Sequence, residues 1–300
     1  MATKQRSRNR RSNSSRDRTQ RYVAPVLDPT WQSPYLPSGE ERSANLKAVK
    51  SYARRKKMPQ TIIVVAVVIV FFILFVVSPF IPIAGVVVAG LYGWDMYRAQ
   101  ERFERRGATL GSTMLDQFKA GGTNEDRQRL AIVLDRLSAT FGVDGVSALI
   151  VDEAGYNAAL VPSGTKYSLF VTNALMSDFE LIELEGVVAH CLARERLGLL
   201  TRESVASAMT MTDDVRRLLA GTGTAYRADE VAAAAIRYPL GLAGALRKCA
   251  SQVLPATSYF RSVSYAESRW IWFNIYSDRA QSDLSDLDDA ELRALALEEW

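Results

Sequence analysis

Three hundred residues, 48% of them hydrophobic, supply one core of ordinary size together with appendages. The formal net charge of +4 hides an asymmetry, because residues 1–57 carry 15 Lys and Arg against 4 Asp and Glu, leaving 22 against 29 for the rest. The two cysteines, Cys191 and Cys249, lie in helix-like sequence without framework spacing. That argues for a thiol-reducing compartment over a secreted disulfide scaffold, and the late first apolar run argues against a cleavable secretory signal.

Residues 1 to about 45 are rich in Arg, Ser, Asn and Pro. Such a stretch buries too little apolar surface to offset its ordering entropy, so residues 1–57 are expected to form a disordered basic arm. Beside a membrane segment, the arm reads as a solvated tail near anionic lipid headgroups rather than a grip on nucleic acid. Within it, Trp31, Tyr35 and the prolines between Tyr22 and Pro37 form a sub-segment suited to docking on an unidentified partner.

From Met58 to Trp94 there is no charged side chain, and Thr61 to Val77 is almost wholly Ile, Val, Phe, Leu and Ala. A run this long predicts a membrane segment over 58–97. Ser78-Pro79-Phe80-Ile81-Pro82 interrupts it, and a shorter apolar stretch follows. Arg54-Arg55-Lys56-Lys57 before the run and Arg98, Arg102, Arg105 and Arg106 after it give both flanks a cytoplasmic preference. A hairpin satisfies both flanks; a single proline-kinked crossing is the alternative. On the hairpin reading, both termini and the folded domain lie at the cytoplasmic face of the cell membrane.

A charged linker helix is expected over 98–122, closed by Gly121-Gly122. Thr123 to Asp126 offers capping chemistry for a helix running to about Phe141, with Leu130, Val133, Leu134 and Leu137 on one face and Gly142 at its end. Val146 to Val151 and Tyr167 to Thr172 read as strands, with a turn at Pro162-Ser163-Gly164 between them. Ser177-Asp178-Phe179-Glu180 has a capping-box pattern opening the next helix. Asp213 to Arg217 reads as a solvated helical turn. Gly221-Thr222-Gly223-Thr224 reads as a connection, since no strand precedes it and no Lys follows. An acidic tail over 278–300 ends in a short helix.

Glu183-Leu184-Glu185-Gly186-Val187-Val188-Ala189-His190, with Asn157-Ala158-Ala159 and Phe170-Val171-Thr172-Asn173-Ala174-Leu175 before it, closely resembles the HtpX-like membrane zinc metallopeptidases. In that family an Asn-Ala strand and a Val-Thr-x-Gly-Leu strand precede Glu-Leu-x-Gly-Val-x-Ala-His-Glu-x-x-His. Ala225-Tyr226-Arg227-Ala228-Asp229 looks like the family's Glu-x-x-Ala-Asp, and the helical stretch Ala243 to Ala250 follows as it does there. Trp270-Ile271-Trp272-Phe273-Asn274 is a weaker echo of its closing aromatic-Asn segment. The similarity runs from about Asp126 to Asn274. It implies an α+β fold, mainly helical and zincin-like, with a small β-sheet over 123–277 behind the membrane hairpin.

The chemistry carries over only in part. His190 matches the first zinc ligand. Cys191 stands where the resemblance puts the water-activating glutamate, and a thiol is a poor substitute for a carboxylate base. Arg194 replaces the second ligand and Ala225 the third, while Asp229, a supporting residue in the family, is retained. Glu195 and Cys191 point away from the face of His190, so neither rebuilds a metal site nor makes a nucleophile pair. The resemblance therefore implies a pseudopeptidase without a cofactor, zinc entering only if the site works in an unexpected way.

Two expectations about the vacated site follow. Arg194, if turned into the cleft, needs a counter-charge, and Asp229 is the candidate with His190 as a hydrogen-bond neighbour; the alternative is a solvent-facing Arg194. The strand Tyr167-Ser168-Leu169-Phe170-Val171-Thr172 is expected at the sheet edge, where an extended peptide adds as a further strand, or else as a capped edge serving only the fold. Three function classes stay open. They are a membrane-anchored inactive domain that binds membrane-protein or peptide clients, a surviving protease of membrane-protein quality control, and a structural subunit of a membrane assembly.

Overall fold

The computed structural model describes residues 36–74, 81–276 and 289–300. The expectations for the basic arm and its aromatic sub-segment up to residue 35, for Ser78-Pro79-Phe80, and for the acidic stretch 277–288 lie outside these residues.

Helix α1 (Gly39–Ile73) starts at Ser38, whose side chain accepts the Glu41 amide, and Glu40 and Glu41 favour its first turn. Residues 39–57, expected in the disordered arm, are therefore helical, and Val49 and Ala53 are buried. Helix α2 (Ile81–Ala108) runs antiparallel to α1. Lys57 meets Asp95 at 2.7 Å, the Thr61 hydroxyl meets the Tyr92 hydroxyl at 2.8 Å, and a Cβ at Gly85 would lie 3.1 Å from Phe71. The residues expected as a separate linker helix thus continue α2 unbroken, since no Gly or Pro interrupts the chain between Trp94 and Gly107. A short helix, α3 (Leu110–Leu115), follows.

Among the described residues α1 is the one helix long and apolar enough to cross a membrane, and no residue of its apolar stretch is buried. The apolar part of α2, from Ile81 to Trp94, is about 20 Å long at ~1.5 Å per residue, short of a ~30 Å hydrocarbon core.

Helix α4 (Asn124–Phe141) has the expected ends. The Thr123 hydroxyl accepts the Asp126 amide, the Asp126 carboxylate accepts the Thr123 amide at 2.8 Å, and Gly142 closes the helix at φ 62°. The sheet contains β1 (Val146–Val151), β2 (Ala158–Ser163) and β3 (Lys166–Thr172) in the order β1-β3-β2, with β1 parallel and β2 antiparallel to β3.

Two corrections follow. The expected turn at Pro162-Ser163-Gly164 begins only at Gly164, because β2 continues through Pro162; a proline is tolerated there on a strand paired on one side only. Tyr167, Ser168, Leu169, Phe170, Val171 and Thr172 form the central strand rather than an edge, and β1 and β2 already use the hydrogen-bonding groups on both of its sides. Its alternating side chains feed two cores. Leu169 and Val171 join the core built on α4 and later helices, and Phe170 joins an aromatic core on the opposite face.

Thr172 caps α5 (Asn173–Asp178), so Ser177 lies in that helix and not at the next N-terminus. The capping box belongs instead to Glu180 and Glu183, which open α6 (Leu181–Arg196). Helices α7 (Leu199–Ala208), α8 (Asp213–Ala220), α9 (Thr224–Ile236), α10 (Pro239–Ser251) and α11 (Val263–Ser268) follow. Arg216, in the turn expected to be solvated, is buried and donates to the Ala206 carbonyl at 3.3 Å. The expected connection at 221–224 joins α8 to α9.

The last element, α12 (Ala290–Glu298), packs on α10 and α9 and buries Ala290, Arg293, Ala294 and Leu297. The end of the expected acidic tail is thus part of the core. The molecule is mainly helical with one small sheet, as the sequence implies.

Candidate functional site

Helix α6 carries the motif through the middle of the protein, and every residue from Gly186 to Arg194 is buried. Gly186 permits this, since a Cβ there would lie 2.9 Å from the Cα of Leu242 on α10. The reciprocal position, Gly241, has room only for hydrogen against the Ile182 carbonyl oxygen, 2.8 Å from where its Cβ would be. Glu183 adds an ion pair to Lys248 at 2.6 Å. The glycine and glutamate of the motif thus set the separation of α6 and α10, which fixes where His190 emerges.

His190 is 1% exposed and lies 2.7 Å, through Nδ1, from Oδ1 of Asp229 on α9. Burial drives the imidazole pKa down to about 4 against the opposing pull of Asp229, so the ring is neutral near pH 7. Nδ1 then carries the proton and donates it to Asp229, leaving the lone pair on Nε2. Burial also raises the Asp229 pKa, but Arg293 and His190 outweigh it and hold the carboxyl below the usual range, so Asp229 is ionised.

Its counter-charge is Arg293 of α12. Nε donates to Oδ2 at 2.7 Å and Nη2 to Oδ1 at 2.9 Å, while Nη1 reaches the Phe273 carbonyl at 2.8 Å. The Phe273 ring meets His190 edge to face at 5.1 Å and also lies under the guanidinium.

Arg194 is 6% exposed, which removes the solvent-facing alternative. Its partner is Glu203 on α7, with Nε donating at 3.0 Å and Nη2 at 2.8 Å. Nη1 and Nη2 also donate to the carbonyls of Ile271, at 2.6 Å, and Trp270. The expected pair between Arg194 and Asp229 is therefore corrected to two separate pairs, Arg194 with Glu203 and Arg293 with Asp229. The reason is reach: Glu203 lies on the next helix, directly across the turn at Gly198, and Asp229 is saturated by His190 and Arg293.

His190, Arg194 and Ala225, the three positions that the resemblance assigns to zinc ligands, all border one cavity of about 20 Å³ together with Glu203, Trp270 and Arg293. A space of this size holds roughly one water. Cys191 is fully buried, and burial pushes its thiol up to about 12, so it is an un-ionised apolar side chain. Glu195 is turned away to an ion pair with Arg42 at 2.9 Å. Among the described residues no three His, Cys, Asp or Glu side chains come together to hold a metal ion.

The free edge of β2 is also taken. Trp272 bridges Ala159, the Phe273 amide donates to the Ala158 carbonyl at 2.8 Å, and the Asn157 side chain exchanges hydrogen bonds with the Asn274 backbone. The segment that echoes the family's aromatic-Asn stretch thus lies along β2 beside the cavity, and its carbonyls receive both guanidinium groups.

Sequence reasoning missed Glu203 and Arg293. A signal for Arg293 existed: it shares the spacing of Ala290, Ala294 and Leu297, so a lone cation sits on the apolar stripe of α12. Compared with models of known protein families and with curated proteins, the chain matches none.

Proposed function

We propose that this chain is a membrane-anchored, HtpX-like pseudopeptidase in which two buried guanidinium-carboxylate pairs hold the helices that a zinc ion clamps in active relatives. The observation carrying this reading is that the three positions assigned to ligands border one cavity, yet two of them are Arg194 and Ala225. Zinc needs three protein ligands and an open position to lower the pKa of bound water. One neutral imidazole supplies a single ligand, and the two nearby carboxylates, Asp229 and Glu203, are each held in an ion pair with an arginine rather than left to act as base.

The His190 to Asp229 contact at 2.7 Å supports the family reading, because ligating histidines in general donate their second ring nitrogen to a carboxylate. The exposed apolar stretch of α1 supports membrane anchoring, the antiparallel pairing of α1 with α2 supports a hairpin, and the basic flanks from Arg54 to Lys57 and from Arg98 to Arg106 favour the cytoplasmic side for the domain. Activity would then consist of holding partner proteins or organising an assembly at the membrane. The covered Ala158–Ala159 end of β2 speaks against capture of an extended peptide at that place.

A peptidase assay on the full chain in detergent, with unfolded membrane protein as substrate and added zinc, tests the reading. No cleavage above the level of a His190→Ala control is expected. Zinc-dependent cleavage abolished by that substitution would refute it.

A further inference from the structure

We propose that the polar ends of α1 and α2 form a collar that binds anionic phospholipid headgroups and fixes the height of the folded domain above the membrane. This rests on the membrane reading above and adds a lipid specificity to it. Lys57 touches Asp95, so the last apolar residues of the two helices, Met58 and Trp94, end at the same level. Headgroup layers are about 5–8 Å deep on each side of the hydrocarbon core, which is roughly four or five helical residues. Arg54 to Lys57 on α1 and Asp95 to Arg98 on α2 fall in that layer.

Five cations and one carboxylate occupy it. The single carboxylate, Asp95, is bridged by Lys57 and Arg102, both at 2.7 Å, and is neutralised within the helix pair. Arg54 and Arg55 are exposed and have no carboxylate partner among the described residues. Arg98 lies 4.4 Å over the ring of Trp94, which stacks on Tyr97, and both rings are exposed, by 57% and 79%.

Amphipathic aromatic rings capping an apolar zone, with unpaired guanidinium groups immediately beyond, match a boundary between hydrocarbon and anionic headgroups. An acidic protein or a nucleic acid would satisfy the cations but leave the adjoining apolar faces in water.

The collar is tied to the domain rather than tethered by a loop. Arg42 and Asn45 of α1 bond to the carbonyls that end α6, and Gly107 of α2 packs against Val205 of α7, 3.1 Å from where a Cβ would lie. Trp94 is about 20 Å up the helix from Gly107 at ~1.5 Å per residue, so lipid held at the collar sets the stand-off of α7 and the cavity beneath it.

The test uses the full chain in bilayer discs of phosphatidylcholine and phosphatidylglycerol, with spin-labelled forms of each lipid reporting immobilisation at the protein surface. Wild type is compared with Arg54→Gln/Arg55→Gln/Arg98→Gln, the arm being unchanged and folding checked by circular dichroism. Each surface cation contributes up to a ~5-fold electrostatic preference. Wild type should therefore favour phosphatidylglycerol, with the preference falling at least ~10-fold in the triple variant. Selectivity unchanged in the variant, or equal immobilisation of both lipids by wild type, would overturn the collar while leaving the membrane reading in place. Immobilisation of neither lipid would overturn both.

Discussion

Replacing Asp229 by Ala tests the buried charge system where its partners converge. The carboxylate accepts from His190 Nδ1 at 2.7 Å and from Arg293 at 2.7 and 2.9 Å, and all three side chains are at most 3% exposed. Its loss takes the carboxylate from the buried Arg293 charge, which keeps the Phe273 carbonyl, and takes the acceptor from the imidazole. Stranding one member of a buried pair costs about 3–5 kcal/mol. For a folded unit of this size that is a fall in Tm of about 10 °C. Arg293→Met alone should cost less, because Asp229 keeps His190, which can then take up a proton. The double variant Asp229→Ala/Arg293→Met should be more stable than the sum of the singles by at least ~1.5 kcal/mol. Thermal unfolding in detergent, followed by circular dichroism across the four proteins, gives the coupling. Additive effects, or a Tm within about 2 °C of wild type for Asp229→Ala, would refute the claim that these charges hold α6, α9 and α12 together.

Acid should destabilise the protein through His190. Its folded pKa of about 4 lies below the ordinary 6.5, so between those values the unfolded chain binds a proton that the native state refuses. Stability is full above pH ~6.5 and falls by up to about 3 kcal/mol toward pH 4; denaturant titrations should show this slope in wild type and its loss in His190→Gln. Gly186→Ala forces a methyl to within 2.9 Å of the Leu242 backbone, so it should cost about 1–3 kcal/mol. An unchanged urea midpoint for that variant would mean that α6 and α10 approach less closely than described.

Much of the fold was legible because its signals are local. Thr123 and Asp126 cap α4 through their own neighbours, Gly142 supplies the left-handed stop, and the bounds of β1 follow from a short apolar run. Strand order was not legible. Leu169, Phe170 and Val171 form a continuous apolar run, which indicates a strand covered on both faces but does not say which neighbours flank it. β2 was hidden by Pro162, which reads as a turn residue yet sits where β2 pairs only with β3.

At the site, the nearness of Asp229 to His190 was expected from the resemblance alone. The partners of the two arginines depend on long-range packing. Glu203 comes round the turn at Gly198, and Arg293 arrives from a helix 64 residues beyond Asp229, within a stretch whose acidity masked its role.

If guanidinium groups stand where a zinc site would be, the purified chain should carry almost no metal. Elemental analysis should compare purified wild type with Arg194→His/Ala225→Glu, which returns ligands to two positions bordering the same cavity as His190. Wild type should hold far less than one zinc per chain and the double variant about one. One tightly held zinc in wild type, lost in His190→Ala, would contradict this.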